Sequence, residues 1–332
     1  MLSLRSWFRR DQTPLLGVDV SPAGVRVIEL VREAKGFRVA HFAQESLPPG
    51  ALRDGSFVQM EALTESLRRA LKASGTRLRT AALALPSGVV IKKMQMLPAS
   101  MYEEELEIQV ETEASQTLPF PLDEISLDFA TLGPSASEAD YVDVMLVAAR
   151  KERIDERLAL AEAVGLRPLV IDVESQAMMT ALTMLGPEQH GHQNQPVAML
   201  QLGIEGSHCY VMLNGLVIFE RELGLSLPRS DQTKSGADTD SLREAACQEL
   251  ARSLQLFASS TQYPEVAHVY VSGSVHSIGD GMVALVQSRI GITASLPDPF
   301  ASMRLPPTES QLNNDAPAWL TACGLALRSF SA

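Results

Sequence analysis

Apolar residues alternate with polar ones from Leu15 to Val20, pause at Ser21-Pro22-Ala23-Gly24, and resume from Val25 to Leu30. This pattern predicts two strands joined in a hairpin. The period then lengthens: after Pro48-Pro49-Gly50, Leu63, Leu67, Ala70 and Leu71 recur at helical spacing, with Gly75 placed to end the helix. Ala81 to Leu85 reads as a buried strand. From Gly88 the order changes to a strand over 88–97 and a helix to about Ser115, opened by a Ser100 and Glu103 capping box. Strands over 125–132 and 141–148 follow. An amphipathic helix over 151–164 presents Ile154, Leu158 and Ala161, completing an α+β module inserted into a larger domain. A strand over 169–173 leads into a helix through Leu185, and the Gly-, Pro-, Gln- and Asn-bearing stretch 186–196 reads as a linker.

The second half opens with another hairpin, over 197–219, broken by Gly203, Gly206 and Asn214-Gly215. A polar loop over 224–239 precedes a long amphipathic helix marked by Leu242, Ala246, Leu250, Leu254 and Phe257, with Ser241 and Glu244 as its capping box. A buried-type strand over 268–272 ends in Gly273-Ser274. A last helix near 319–327 carries the small residues Ala322, Gly324 and Ala326. When the two hairpins are aligned, Asp19 falls on Gln201, Gly24 on Gly206 and Arg26 on His208. An internal repeat of this kind implies two similar lobes. The expected division is a tail over 1–13, a first lobe over 14–86 plus 167–186, the inserted module over 87–166, and a second lobe over 196–330.

Composition narrows the function. A length of 332 residues suits about two domains with their own cores. The 28 Lys and Arg against 40 Asp and Glu leave a net charge of −12, which argues against a phosphate-neutralising nucleic-acid binder. Cys209, Cys247 and Cys323 lie too far apart for a metal or redox motif and read as small buried hydrophobes. His190 and His192 have no further ligands nearby. Without an 18-residue apolar run or a signal sequence, a cytoplasmic chain is expected. Residues 1–10 mix Leu2, Leu4, Trp7 and Phe8 with Arg5, Arg9 and Arg10. They read as a frayed terminus, or as a short segment able to touch an anionic membrane surface.

Paired turns facing each other across a cleft can hold a polyphosphate, because backbone N–H groups in Gly-rich turns bind phosphate oxygens. The residues expected to do so are Asp19, Ser21, Gly24, Arg26, Gly203, Gly206, Ser207, Gly273 and Ser274. Asp19 either orients the waters of a magnesium ion or caps its turn. Glu174 either orients an attacking water, as the catalytic candidate, or offsets a helix dipole. The order of these motifs matches the actin-like ATPase fold. No Gly-x-Ser-x-Gly, Walker lysine or Cys–base spacing supports other nucleophilic chemistry.

Residues 103–129 (EEELEIQVETEASQTLPFPLDEISLDF), 142–152 (VDVMLVAARKE) and 169–175 (LVIDVES), with 298–300 (DPF) and 322–330 (ACGLALRSF), resemble the PilM family of type IV pilus assembly. The chain is more distantly similar to the FtsA family of division proteins. The resemblance implies an α/β, actin-like two-lobe fold with an inserted α+β module and, from the short 219–240 segment, a reduced second-lobe cap. It also implies a cytoplasmic adaptor at the inner face of the inner membrane. Its partner would be the N-terminal segment of a PilN-like inner-membrane protein, with pilus motor ATPases as further partners and membrane association indirect. Glu107, Glu111, Pro119, Phe120 and Pro121 are the expected partner-binding residues. The six glutamates at 103, 104, 105, 107, 111 and 113 form either a solvated face or an attractor for a basic peptide.

The sequence departs from the family at the cleft. Pro22 removes a backbone donor, Arg26 stands where lysine is expected, Gln201 occupies an aspartate position, and Ser274 replaces a glycine. These changes imply weakened binding of ATP with magnesium. The alternative is an active magnesium-dependent ATPase that works as a switch. An FtsA-like filament former is disfavoured by the lack of a C-terminal amphipathic helix.

Overall fold

The computed structural model describes residues 13–135, 138–184, 194–228, 236–273, 279–307, 312 and 315–330. Strands β1 (Leu16–Ser21), β2 (Gly24–Glu33) and β3 (Gly36–Glu45) form an antiparallel meander. The two-residue strands β4 (Leu52–Arg53) and β5 (Ser56–Phe57), helix α1 (Met60–Ser74) and β6 (Thr80–Leu85) follow, β6 lying parallel to β1. The inserted unit comprises β7 (Val90–Pro98), α2 (Glu103–Thr117), β8 (Ile125–Pro134) and β9 (Tyr141–Arg150), its sheet ordered β7-β9-β8. Helix α3 (Lys151–Ala163), strand β10 (Arg167–Val173) and helix α4 (Glu174–Met184) return to the first sheet.

The second half repeats the plan. Strands β11 (Val197–Leu202), β12 (Ser207–Leu213) and β13 (Leu216–Leu223) form a meander, followed by α5 (Gly236–Ser260), β14 (His268–Gly273), α6 (Gly279–Ile290), β15 (Ala294–Ser295) and α7 (Leu320–Leu327). The two sheets run β3-β2-β1-β6-β10 and β13-β12-β11-β14-β15, so each strand of one has a counterpart in the other. Between β6 and β10 sit the module and α3; between the matching β14 and β15 sits α6 alone. Strand β3, helix α6 and the two-residue strands are additional to the elements that periodicity predicts. In β3 only Val39 and Ala43 are buried, which leaves too faint a stripe to read.

Neither expected capping box forms at its expected residues. Helix α2 starts at Glu103, and Glu105 Oε2 accepts the Tyr102 N–H at 2.8 Å. Ser100 lies in the preceding turn, closed by the Met101 N–H on the Pro98 carbonyl. Helix α5 starts at Gly236, which puts Ser241 and Glu244 inside it, where Glu244 pairs with Arg289 at 3.0 Å. Helix α3 packs on the first sheet: Leu160 and Ala161 join Leu16, Val18, Leu63 and Leu67 in one apolar cluster. Its buried Arg157 donates to the Gly55 carbonyl at 2.7 Å and stacks over Phe57, burial lowering its pKa to about 10.

A continuous apolar core joins the lobes. Ile28, Leu30 and Val39 of the first sheet, Met199, Tyr210 and Tyr270 of the second, and α4 and α7 share one cluster around Trp319. Helices α4 and α7 meet so closely that a Cβ on Gly324 would lie 1.7 Å from the Ala177 carbonyl oxygen. The run of small residues near the end of the chain exists for this contact. All three cysteines are buried and free. No helix among the described residues is long and apolar enough to cross a membrane.

Candidate functional site

The carboxyl ends of β1, β6, β10 and β11 surround a cavity of about 270 Å³, lined by Asp19, Ser21, Arg26, Glu174, Gln201, Gly203, Gly206 and Gly273 together with His208 and Glu222. The structure thus gathers most of the sequence-derived site residues in one cleft between the lobes. Gly24 and Ser207 are not on its wall. Ser274 lies outside the described residues, as do the stretch 1–12, His190 and His192.

The first turn is held by charge. Asp19 stands opposite Arg26 in the β1–β2 register, and Arg26 lies 3.5 Å from both Asp19 and Asp315 carboxylate oxygens. All three are buried. Burial raises the Asp19 pKa, and the Arg26 charge pulls it back. Arg26 is therefore engaged by two carboxylates while it lines the cleft. Gly24 has φ +146°, and a Cβ there would sit 2.6 Å from the Glu45 carbonyl oxygen, so only glycine fits this turn.

The second turn is held by neutral hydrogen bonds. The Gly203 N–H donates to the Ser207 hydroxyl at 3.2 Å, and the Gly203 carbonyl accepts from the Leu227 N–H. Gly273 has φ +97° and a Cβ would meet the Leu202 carbonyl oxygen at 2.2 Å, which fits β14 tightly against β11.

Between the turns, side chains bridge the lobes directly. Gln201 Nε2 donates to Glu174 Oε1 at 2.6 Å, and the Tyr210 hydroxyl donates to Gln201 Oε1 at 3.1 Å. The amide orientation follows from this pair of contacts. Burial, then the nearby Asp19 charge, raises the Glu174 pKa from 4.5 to about 7. Lys92 of β7 donates to Glu220 of β13 at 2.6 Å and to the Ser175 hydroxyl at 2.8 Å. His208 stacks on Tyr210, and burial lowers its pKa. Lys92, Glu220, His208, Tyr210 and Asp315 escaped the sequence reading. The one local signal was the i, i+2 spacing of His208 and Tyr210, which puts both on one face of β12.

The expected partner residues sit elsewhere, on the module. Glu111, Pro119 and Pro121 are exposed, Glu107 is half-buried, and Phe120 lies under the Arg150 guanidinium at 5.4 Å. The glutamates of α2 are not all solvated: Glu113 pairs with Lys93 at 2.8 Å, and Glu105 caps the helix. Ile108 is 65% exposed on the same helix.

The family described as type IV pilus assembly protein PilM matches residues 17–226 and 241–330. Among solved structures, the chain is similar to that of a PilM–PilN type IV pilus biogenesis complex. The identity is 26% with a TM-score of 0.82, over 97% of this chain and 100% of that one. The ethanolamine utilization protein EutJ from Carboxydothermus hydrogenoformans is 13% identical, with a TM-score of 0.52 over 98% of this chain and 94% of that one. A diol dehydratase-reactivating factor in nucleotide-free form is 8% identical, with a TM-score of 0.51 over 94% and 99%. The fold is the actin-like two-lobe ATPase fold.

Proposed function

The chain belongs to the PilM family of type IV pilus assembly proteins, and from that premise we propose that it is a cytoplasmic adaptor holding the N-terminal segment of a PilN-like protein at the inner face of the inner membrane. The observation that carries this reading is the similarity, over nearly the full length of both chains, to the PilM of a PilM–PilN complex. Helix α2 supports it. It carries six glutamates and no Lys or Arg, and the exposed Ile108 sits among them, a surface suited to a basic segment with apolar side chains. Glu107, Glu111 and the Pro119-Phe120-Pro121 turn are the proposed contacts. Calorimetric titration with a synthetic peptide of the partner's N-terminal segment tests this. Binding is expected, weakened about tenfold in Glu107→Lys/Glu111→Lys, and an absence of heat with the unaltered protein would exclude the reading.

For the cleft, we infer weak binding of ATP with magnesium and no hydrolytic step. Among the described residues, Asp19, Asp54, Glu174, Glu205 and Glu222 line it against one arginine, Arg26, already engaged by Asp19 and Asp315. Such a wall repels a polyphosphate. Among the described residues, no group of three His, Cys, Asp or Glu is placed to hold a metal ion. Gln201 spends its amide on Glu174 and Tyr210 instead of ordering magnesium waters. These residues do not fit a tightly held magnesium nucleotide. A thermal-shift titration with ATP and magnesium is expected to leave the melting temperature within about 1 °C. A shift of several degrees with phosphate release would favour the ATPase switch instead.

A further inference from the structure

Strands β1, β6 and β10 run parallel, so their carboxyl ends share the cleft and their amino ends share the opposite end of the first lobe. The amino end is basic in a chain whose net charge is −12. Lys72 lies in the last turn of α1, Arg77 and Arg79 in the link to β6, and Arg167 opens β10. The Arg167 N–H donates to the Arg79 carbonyl at 2.6 Å, which places these two residues side by side. All four side chains are exposed, and none is in an ion pair with another described residue. The carboxylates that this end also carries are Glu29, engaged by the Thr76 hydroxyl at 2.5 Å, and the exposed Glu162.

The inserted module stands at the other end of the same strands. Strand β6 runs into it through Leu85, Pro86, Gly88 and Val89, which line the cleft, and α3 carries the chain from β9 back to the amino end of β10. On one face of the module's sheet, Val90, Val147 and Ala149 look toward Ile154, Ile171 and Val173 of the first lobe across a small apolar cavity. Side chains alternate across a strand, so the other face points outward. There Val144, Leu146 and Ala148 share a core with Leu106, Val110 and Ala114 of α2, which makes α2 the outer layer of the module. This helix has six glutamates among its 15 residues and no Lys or Arg. Glu103, Glu104 and Glu111 are exposed, with the exposed Ile108 between them.

We propose that the basic end of one copy, Lys72, Arg77, Arg79 and Arg167, docks on the acidic outer face of α2 in the next copy, in a head-to-tail association of this chain. Complementary charge selects the occupant: the one surface that the basic end needs is carried, fully formed, at the opposite end of the same lobe. A contact between unlike ends does not close on itself in a pair, so copies add in a row. Chains that each carry −12 repel one another at long range. At about 0.1 M salt a Debye length of about 10 Å screens that repulsion while charges that meet across an interface still attract. The association goes beyond the peptide-binding role proposed above and does not depend on it.

Sedimentation velocity of the full chain, over roughly 1 μM to 1 mM at about 0.1 M salt, tests the proposal. The weight-average mass is expected to climb past that of a dimer. It should return to the monomer at about 0.5 M salt, where the Debye length shrinks to a few ångströms. Reversing the basic end (K72E/R77E/R79E/R167E) or the helix (E104K/E107K/E111K) should each weaken association at least about tenfold. An equimolar mixture of the two variants restores it, because each altered end then meets one of opposite charge. A chain that stays monomeric, a mass that levels off at a dimer, or a mixture that stays monomeric overturns the proposal. So does a monomeric chain that binds anionic vesicles or duplex DNA through the same four cations. If a reversed variant does not fold, R77Q/R79Q and E104Q/E111Q take its place, each expected to weaken association about threefold. Affinity for the PilN-type peptide is measured separately on K72E/R77E/R79E/R167E, which leaves α2 intact, so either reading can fail alone.

Discussion

The two turns that face each other across the cleft occupy equivalent places in a repeated sheet, yet they are stabilised by opposite means. Asp19 stands opposite Arg26 in the β1–β2 register, and Gln201 stands opposite His208 in the β11–β12 register. The first pair is charged, buried and tied to Asp315 in the tail of the second lobe. The second pair is an amide beside a histidine whose pKa burial lowers. The first turn has two residues between its strands, with an obligatory glycine at Gly24; the second has four. Charge locks the first turn in place, whereas the second turn is held by backbone and hydroxyl hydrogen bonds and Gln201 reaches across to Glu174. In an actin-like cleft a ligand between the turns can tie the lobes together. In this chain Gln201–Glu174 makes that tie from protein alone, and Lys92–Glu220 ties the inserted module to the second lobe.

Removing the charge from the first turn should have the largest effect. Arg26→Met removes the guanidinium that the buried Asp19 and Asp315 share, a change that typically costs about 3–5 kcal/mol. Urea unfolding should show a loss of that size, and a loss under about 1 kcal/mol would mean that the ion pair is dispensable. The aligned glycines come next. Gly24→Ala places a side chain 2.6 Å from a backbone oxygen at positive φ and should cost roughly 2–3 kcal/mol. Gly206→Ala, whose nearest neighbours are side-chain ends at 3.7 Å and 3.9 Å, should stay within about 0.5 kcal/mol. Equal effects at the two positions would erase the distinction between the turns.

Gln201→Asp makes the second turn resemble the charged one without supplying an arginine. Two carboxylates then face each other at Glu174, and stability should fall by about 1–2 kcal/mol at pH 8. Thermal melts should recover most of that loss at pH 6, as Glu174 takes up a proton.

The smallest expected effect is on pH dependence. The folded chain holds the Glu174 proton up to about pH 7, whereas an unfolded chain releases it near 4.5. Proton uptake at Glu174 therefore stabilises the fold fully below pH 4.5, and that contribution is lost as pH rises through 7. Glu174→Gln keeps an acceptor for Gln201 and should flatten the stability profile between pH 4.5 and 7. It should gain about 1 kcal/mol at pH 8. An unchanged slope in a pH series of melts would assign the titration to another group.

Much of this was legible along the chain because it is local. The hairpin over 15–30, the helix ended by Gly75, the inserted strand–helix–strand–strand order and the small-residue helix near Gly324 all follow from periodicity and turn chemistry over a few residues. The start of α2 shifted because Glu105, not Glu103, reaches back to the backbone N–H ahead of the helix, and α5 begins at Gly236, ahead of the Ser-x-x-Glu string that a capping rule selects. The Arg26–Asp315 contact was not legible, because nothing near Arg26 in sequence announces Asp315. His208 and Tyr210 likewise gain their meaning only in the folded sheet, where the rings stack and the Tyr210 hydroxyl reaches Gln201.

The sequence by itself determined the two-lobe repeat, the inserted module, the family, and the residue types at the two turns, Pro22 in the first and Gln201 before the second. Tertiary structure alone decided what those residues meet. Burial and charge act through space, and the groups that set the cleft's character, Glu174 with Gln201 and Arg26 with Asp315, meet only when the two lobes close on their shared core around Trp319.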